Sequence, residues 1–195
     1  MNTRFERAIQ AIDARNADDP HTLVIRGETR PKEQAHAEMV FEWVKRLRPD
    51  ASEELLLAAR AHHVRRWTIP RSSYAEGRVP YLQWRNALKE VHAAELRAAM
   101  REAGYGATAI DRAEFIVRKR DLTRDEEVRV LEDAICLVFL ETQFHDVAAK
   151  LDRAKMTGVL RKTMRKMSPE GIAAALTLDL APGDRVLFDE AAGGL

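Results

Sequence analysis

The residues best able to do chemistry in this chain are histidines. Six occur in 195 residues, and His36, His62, His63 and His92 fall where the apolar spacing predicts helix rather than loop. Imidazole is the commonest protein ligand for transition metals, and helices that face one core can bring several such rings to one point. Asp133 is the carboxylate expected to join them. It lies well inside a predicted helix, away from the N-terminal amides that favour an acid, and directly before a fully apolar run. A half-buried carboxylate needs a cation, and Arg129, four residues earlier on the same helical face, supplies one without any metal. No two histidines stand four residues apart as a local metal motif. A nitrogen-rich set drawn from His36, His62, His63, His92 and Asp133 calls for one transition metal ion, namely zinc, iron, nickel, cobalt or manganese, rather than magnesium. Neighbours on a helix diverge by about 100°, so which of His62 and His63 turns inward stays open.

Arginines supply the second half of the pattern. Arg65, Arg66 and Arg71 follow the doublet, and Arg85 precedes His92 by seven residues, which places both on one helical face. Guanidinium groups grip phosphate oxygens in bidentate fashion. The interleaved Trp67, Tyr74, Tyr81 and Trp84 are placed either to stack on a base or to anchor the core, with the arginines then pairing to Glu38, Glu42 or Glu90. Pro70, Gly77 and Pro80 mark a loop of about a dozen residues here, a length that in compact domains usually carries function. A second basic group, Arg161, Lys162, Arg165 and Lys166, lies along one side of a helix. It reads as a solvated face or as a surface for RNA or an acidic protein, with no recognised nucleic-acid motif beside it.

The elements that must hold these residues are helices. Apolar spacing predicts them over Thr3 to Ala14, from Pro31 to a stop at Pro49, over Leu55 to Trp67, over Tyr81 to Glu102, from Thr108 to about Val117, over Val128 to Leu151, and from Ser168 to about Leu176. Asp50 with Glu53, and Thr123 with Glu126, have capping-box spacing. The Val128 to Leu151 helix is apolar on every side from Ala134 to Leu140, so it is expected at the centre. Asp184 to Phe188 is the one stretch that suggests a strand. Pro182, Gly193 and Gly194 point to an irregular tail. The expectation is an all-α, single-domain helical bundle over residues 1–178 with a tail over 179–195.

Composition limits the function classes. Charged residues are abundant but nearly cancel to a net +1, so no overall field draws in nucleic acid or an anionic membrane. The single cysteine, Cys136, can form no internal disulfide, which fits a reducing, cytoplasmic setting. The first residues alternate charge with apolar side chains and lack the continuous run of a signal peptide or membrane span.

The order of Gln34-Ala35-His36, then the doublet His62-His63 at the end of the next helix, then Val130-Leu131-Glu132-Asp133-Ala134 resembles the histidine, His-Asp doublet and distant aspartate of HD-superfamily phosphohydrolases. More closely, Arg66 to Arg71, Trp84 to Leu88, His92-Ala93 and Leu131 to Glu141 resemble a bacterial family, the domain of unknown function catalogued as 4202, over nearly the whole chain. The resemblance to the HD superfamily implies a helical enzyme in which a metal orients or activates water against a phosphate ester; the 4202 family implies no established activity. The chain departs from the HD pattern at His63, where HD enzymes carry Asp, and at Arg118-Lys119-Arg120, where they often carry another His. These departures argue against a dinuclear site.

The resulting expectation is a metal-dependent phosphohydrolase acting on a nucleotide or other phosphorylated small molecule. Asp133 and Lys119 are its catalytic candidates, and Arg66, Arg71, Trp84 and Arg85 its substrate contacts. On this reading His36→Ala and Asp133→Ala each abolish turnover. The rivals are a non-catalytic phosphate-binding protein of the same fold, holding a nucleotide through Arg66, Arg71 and Arg85, and an interaction module acting through the basic C-terminal helix.

Overall fold

Helix punctuation in the sequence converts directly into architecture in the computed structural model, which describes residues 2–25 and 27–193. Thr3 opens α1 (Arg4–Asn16) with a full capping box to Glu6. Pro31 precedes α2 (Lys32–Leu47), and Ser52 caps α3 (Glu53–Ala61) by accepting from the Leu55 amide. A long α4 (Arg78–Glu102) and α5 (Ala107–Val117) follow. Asp125, accepting from the Val128 amide, caps α6 (Glu126–Thr142), and then come α7 (Phe144–Ala148), α8 (Arg153–Met164), α9 (Pro169–Leu176) and α10 (Pro182–Ala192). The chain is mostly helical, as its periodicity predicts.

Several boundaries differ from the sequence expectation. The caps of α3 and α6 are Ser52 and Asp125, not Asp50 and Thr123. Short polar side chains crowd both turns, and only the tertiary path selects among them. The helix expected to run to Leu151 breaks at Gln143, whose backbone leaves the helical region at φ −126°. Asp184 to Phe188 is helical within α10, so the expected irregular tail is a helix through Ala192 that packs on α8; Gly194 lies outside the described residues. Strand does occur elsewhere, as an antiparallel hairpin of β1 (Thr22–Ile25) and β2 (Glu28–Pro31) turning through Gly27 at φ 82°. A four-residue apolar run is too short to show its period.

Two apolar cores result. One gathers α1 to α5 and the first half of α6 around Leu55, Leu57, Leu96, Met100, Ile116 and Leu131. The other gathers the second half of α6 with α7 to α10 around Leu137, Phe144, Met156, Leu160 and Phe188. The central helix α6 serves both, and so do Trp43 and Leu47 of α2, which pack against each.

Candidate metal and anion site

The chain stops being helical where the histidine doublet begins. His62 is the C-cap of α3, residues 62–65 form a turn, and Arg65 takes a left-handed conformation at φ 53° before a 3-10 turn over Arg66–Thr68. Past the end of a helix, neighbouring side chains no longer diverge by about 100°. The rings of His62 and His63 stack instead, with centroids 4.2 Å apart. Which of them turns inward has a simple answer: both do. His36 arrives from α2, its ring 5.3 Å from His62 and 5.2 Å from His63, and His92 from α4, 5.8 Å from His63.

Hydrogen bonds fix how these rings present their nitrogens. The Nδ1–H of His62 donates to the Ala59 carbonyl at 2.9 Å, that of His92 to the Val64 carbonyl at 2.9 Å, and that of His63 to the Glu33 carboxylate at 3.0 Å. A carbonyl, or a carboxylate in its ionised form, can only accept, which selects the Nδ1–H tautomer and leaves a lone pair on Nε2. Metal-ligating histidines are held in this way, by a carbonyl or carboxylate on the far nitrogen. His36 places Nδ1 3.2 Å from Nε2 of His62, and the Gln143 side-chain amide lies 3.0 Å from its Nε2. With the amide nitrogen of Gln143 donating, a chain runs Gln143 to His36 to His62 to Ala59. With the amide turned over, His36 aims a second lone pair at His62.

One ligand atom from each of His36, His62 and His63 lies within 4.8 Å of the others. A tetrahedral site with metal–nitrogen bonds near 2.0–2.1 Å has nitrogen–nitrogen edges of about 3.3 Å. The donor set therefore fits a transition metal once the three nitrogens close to that spacing, and three histidines leave the fourth position open. Burial keeps the rings neutral. It lowers His36 to about 4, with Lys32 and Arg66 adding to the shift. It lowers His92 to about 4, with the nearby cations adding and the Val64 hydrogen bond opposing. Burial first, then neighbouring rings, lower His62 and His63 well below the usual histidine value. Burial also raises Glu33 to about 7.

Beside the rings is a narrow cleft of about 30 Å³ whose lining includes Arg66, Arg85, Lys89 and Lys119 and no carboxylate. Arg66 lies over the Trp84 ring at 4.8 Å and reaches Glu33 only at 3.8 Å. Among the described residues, Arg85 and Lys89 form no ion pair. Burial holds Arg66 and Lys89 below their ordinary values; Glu33 opposes the shift at Arg66, and neighbouring cations add to both. Arg85 and Lys89, crowded in this way with no ion-pair partner, suit an anion, while Arg66 and Lys119 are matched by Glu33 and Glu132. Lys119 occupies the left-handed C′ position of a Schellman motif closing α5, at φ 56°, with its amide bonded to Ile116 and that of Arg120 to Phe115. Glycine usually fills that position. A lysine there carries about 1–2 kcal/mol of backbone strain and brings an ammonium to the cleft.

Other expected site residues are placed elsewhere. Asp133 lies outside the histidine group and is a structural acid: its carboxylate accepts from the Ser168 amide at 2.8 Å and the Ser168 hydroxyl at 2.6 Å, tying α6 to the start of α9. Its neighbour Glu132 points toward the cleft, paired with Lys119 at 2.5 Å. Arg71 donates to the carbonyls of Tyr74 and Ala75 and so holds the loop. Trp84 is buried with its indole N–H on the Ile69 carbonyl, a platform for Arg66 rather than for a base. The sequence reading missed Lys89, Glu33 and Gln143. Lys89 shares a helical face with Arg85 and His92, and Glu33 with His36, so spacing contained both; Gln143 was hidden by the unseen break after α6.

A wider concavity of about 460 Å³ lies between the hairpin and α2. It contains no histidine, and two of its acids are already engaged, Glu38 by Arg30 and Arg60 and Glu141 by the Trp43 indole.

Comparison with known families matches residues 6–187 to the one described as Domain of unknown function (DUF4202). The chain belongs to that family. No curated protein and no solved structure matches it. Among the described residues, no helix is long and apolar enough to cross a membrane.

Proposed function

We propose that this member of the DUF4202 family is a cytoplasmic, metal-dependent phosphohydrolase with an HD-like arrangement, acting on a nucleotide or other phosphorylated small molecule. One observation carries the reading. Histidines with anchored Nδ1–H groups, each carrying a lone pair on Nε2, line the wall of a cleft whose charged lining is entirely cationic. His36, His62 and His63 are the residues that would hold the metal, with His92 beside them. A bound transition metal supplies a water whose pKa falls toward neutrality. Glu33 orients His63, and the Ala59 and Val64 carbonyls orient His62 and His92. Arg66, Arg85, Lys89 and Lys119 hold the phosphate and neutralise charge developing on its oxygens. Leu88 and Val117 form an apolar wall that limits bulk water.

The test is elemental mass spectrometry of untagged protein together with turnover of a panel of nucleoside monophosphates. About one transition metal per chain is expected, lost in His62→Ala, and Arg85→Ala is expected to raise KM at least tenfold. Protein that neither carries nor takes up zinc, iron, nickel, cobalt or manganese refutes the hydrolase. The metal-free hydrogen-bond chain from Gln143 through His36 and His62 to Ala59 favours a second reading, a non-catalytic phosphate-binding protein. That reading gains if phosphate binds the metal-free protein and Arg85→Ala weakens it.

A further inference from the structure

The cationic cleft does not end at Lys119. The buried carboxylate of Glu132 takes the Lys119 ammonium on one oxygen at 2.5 Å and the Lys166 ammonium on the other at 3.6 Å. Lys166 stands just past the end of α8 beside Arg165, with Arg161 and Lys162 one turn earlier. All four side chains are exposed, and among the described residues Arg161, Lys162 and Arg165 form no ion pair. Cations in the last turn of a helix complement its dipole, a gain of roughly 0.3–1 kcal/mol each at the surface. That accounts for a basic residue or two, not for four neighbours joined to a cationic cleft through a single shared acid.

The cleft is narrow, about 30 Å³, so at most the end group of a larger ligand can enter it. Anything attached to that group runs over the surface, and the exposed surface joined to the cleft through Glu132 and Lys166 is the basic face of α8. Resting on the phosphate reading above, we propose that the ligand is a linear chain of phosphates, its terminal group in the cleft and the following groups along Arg161, Lys162, Arg165 and Lys166. Inorganic polyphosphate and a single-stranded oligonucleotide with a phosphorylated end share this chemistry. Successive phosphate contacts add affinity through one tether and release counterions, so binding strengthens with chain length and weakens steeply with salt.

The test measures fluorescence anisotropy of 5′-phosphorylated, labelled oligothymidylates of two and ten nucleotides, and competition by inorganic phosphate, tripolyphosphate and long-chain polyphosphate. At least a tenfold gain from the short to the long member of one series is expected. The double variant Lys162→Glu, Arg165→Glu, checked for fold by circular dichroism, is expected to abolish that gain and to lower the salt-dependence slope by about one to two. A gain confined to the oligonucleotides assigns nucleic acid, and one confined to polyphosphate assigns that polymer. If inorganic phosphate or the short probes bind but neither series gains with length, or if the gain survives the charge reversal, the extended track is refuted while the phosphate cleft stands. Failure of every phosphate compound to bind removes both.

Discussion

Chelator-treated protein is expected to lose at least about 2 kcal/mol of unfolding free energy between pH 7.5 and pH 5, measured by urea denaturation at the two values. His36 and His92 are lowered by burial from 6.5 to about 4. Between those values the unfolded chain binds more protons than the folded one, so stability is complete above about 6.5 and drains as pH falls toward 4. At 1.36 kcal/mol per unit, each ring accounts for about 2 kcal/mol by pH 5. His62 and His63 shift in the same direction and add to the loss. Glu33 works the other way: raised to about 7, it protonates in the folded protein first and returns roughly what one histidine loses. The acids whose values are lowered by ion pairs, such as Glu38 and Asp125, matter mainly at pH values below this window. Stability that is flat from pH 7.5 to 5 would contradict a buried, neutral histidine cluster.

Asp133→Ala is expected to cost about 3 kcal/mol of stability while leaving metal content and phosphate affinity intact. The buried carboxylate receives both the amide and the hydroxyl of Ser168, and that hydroxyl in turn accepts from the Gly171 amide at 3.0 Å. Hydrogen bonds to a charged group contribute roughly 1.5–3 kcal/mol each, and deleting the acid strands their buried donors. The same packing makes Gly171→Ala destabilising, because a Cβ there would stand 2.5 Å from the Asp133 carboxylate. Thermal melts and elemental analysis of both variants separate the roles. Loss of metal at unchanged melting temperature in Asp133→Ala would return this residue to the site.

The Asp133 assignment shows where reading the sequence reaches its limit. A carboxylate in the middle of an apolar helix is correctly marked as needing a partner, but the partners visible along the chain are Arg129 and a metal, and the one it has is Ser168. Ser168 is thirty-five residues away and becomes a neighbour only because α9 docks on α6. Glu132, one position earlier, points instead to the cationic cleft. Adjacent positions on a helix face different neighbours, and pattern alone does not say which neighbour is the site.

What the sequence determined by itself was local: the helical class, the cap at Ser168, the central place of α6, and the choice of His36, His62, His63, His92, Arg66 and Arg85 as the residues with chemistry to offer. Helical period and residue type carry that information without reference to the rest of the fold. Tertiary structure alone decided that His62 and His63 both turn inward, because α3 stops where packing of the following turn demands it. It also decided that Lys89 joins Lys119 in the cleft, while Arg71 holds its own loop and Trp84 carries Arg66. Convergence is a property of distances across the chain, and those are set by which apolar faces bury against one another.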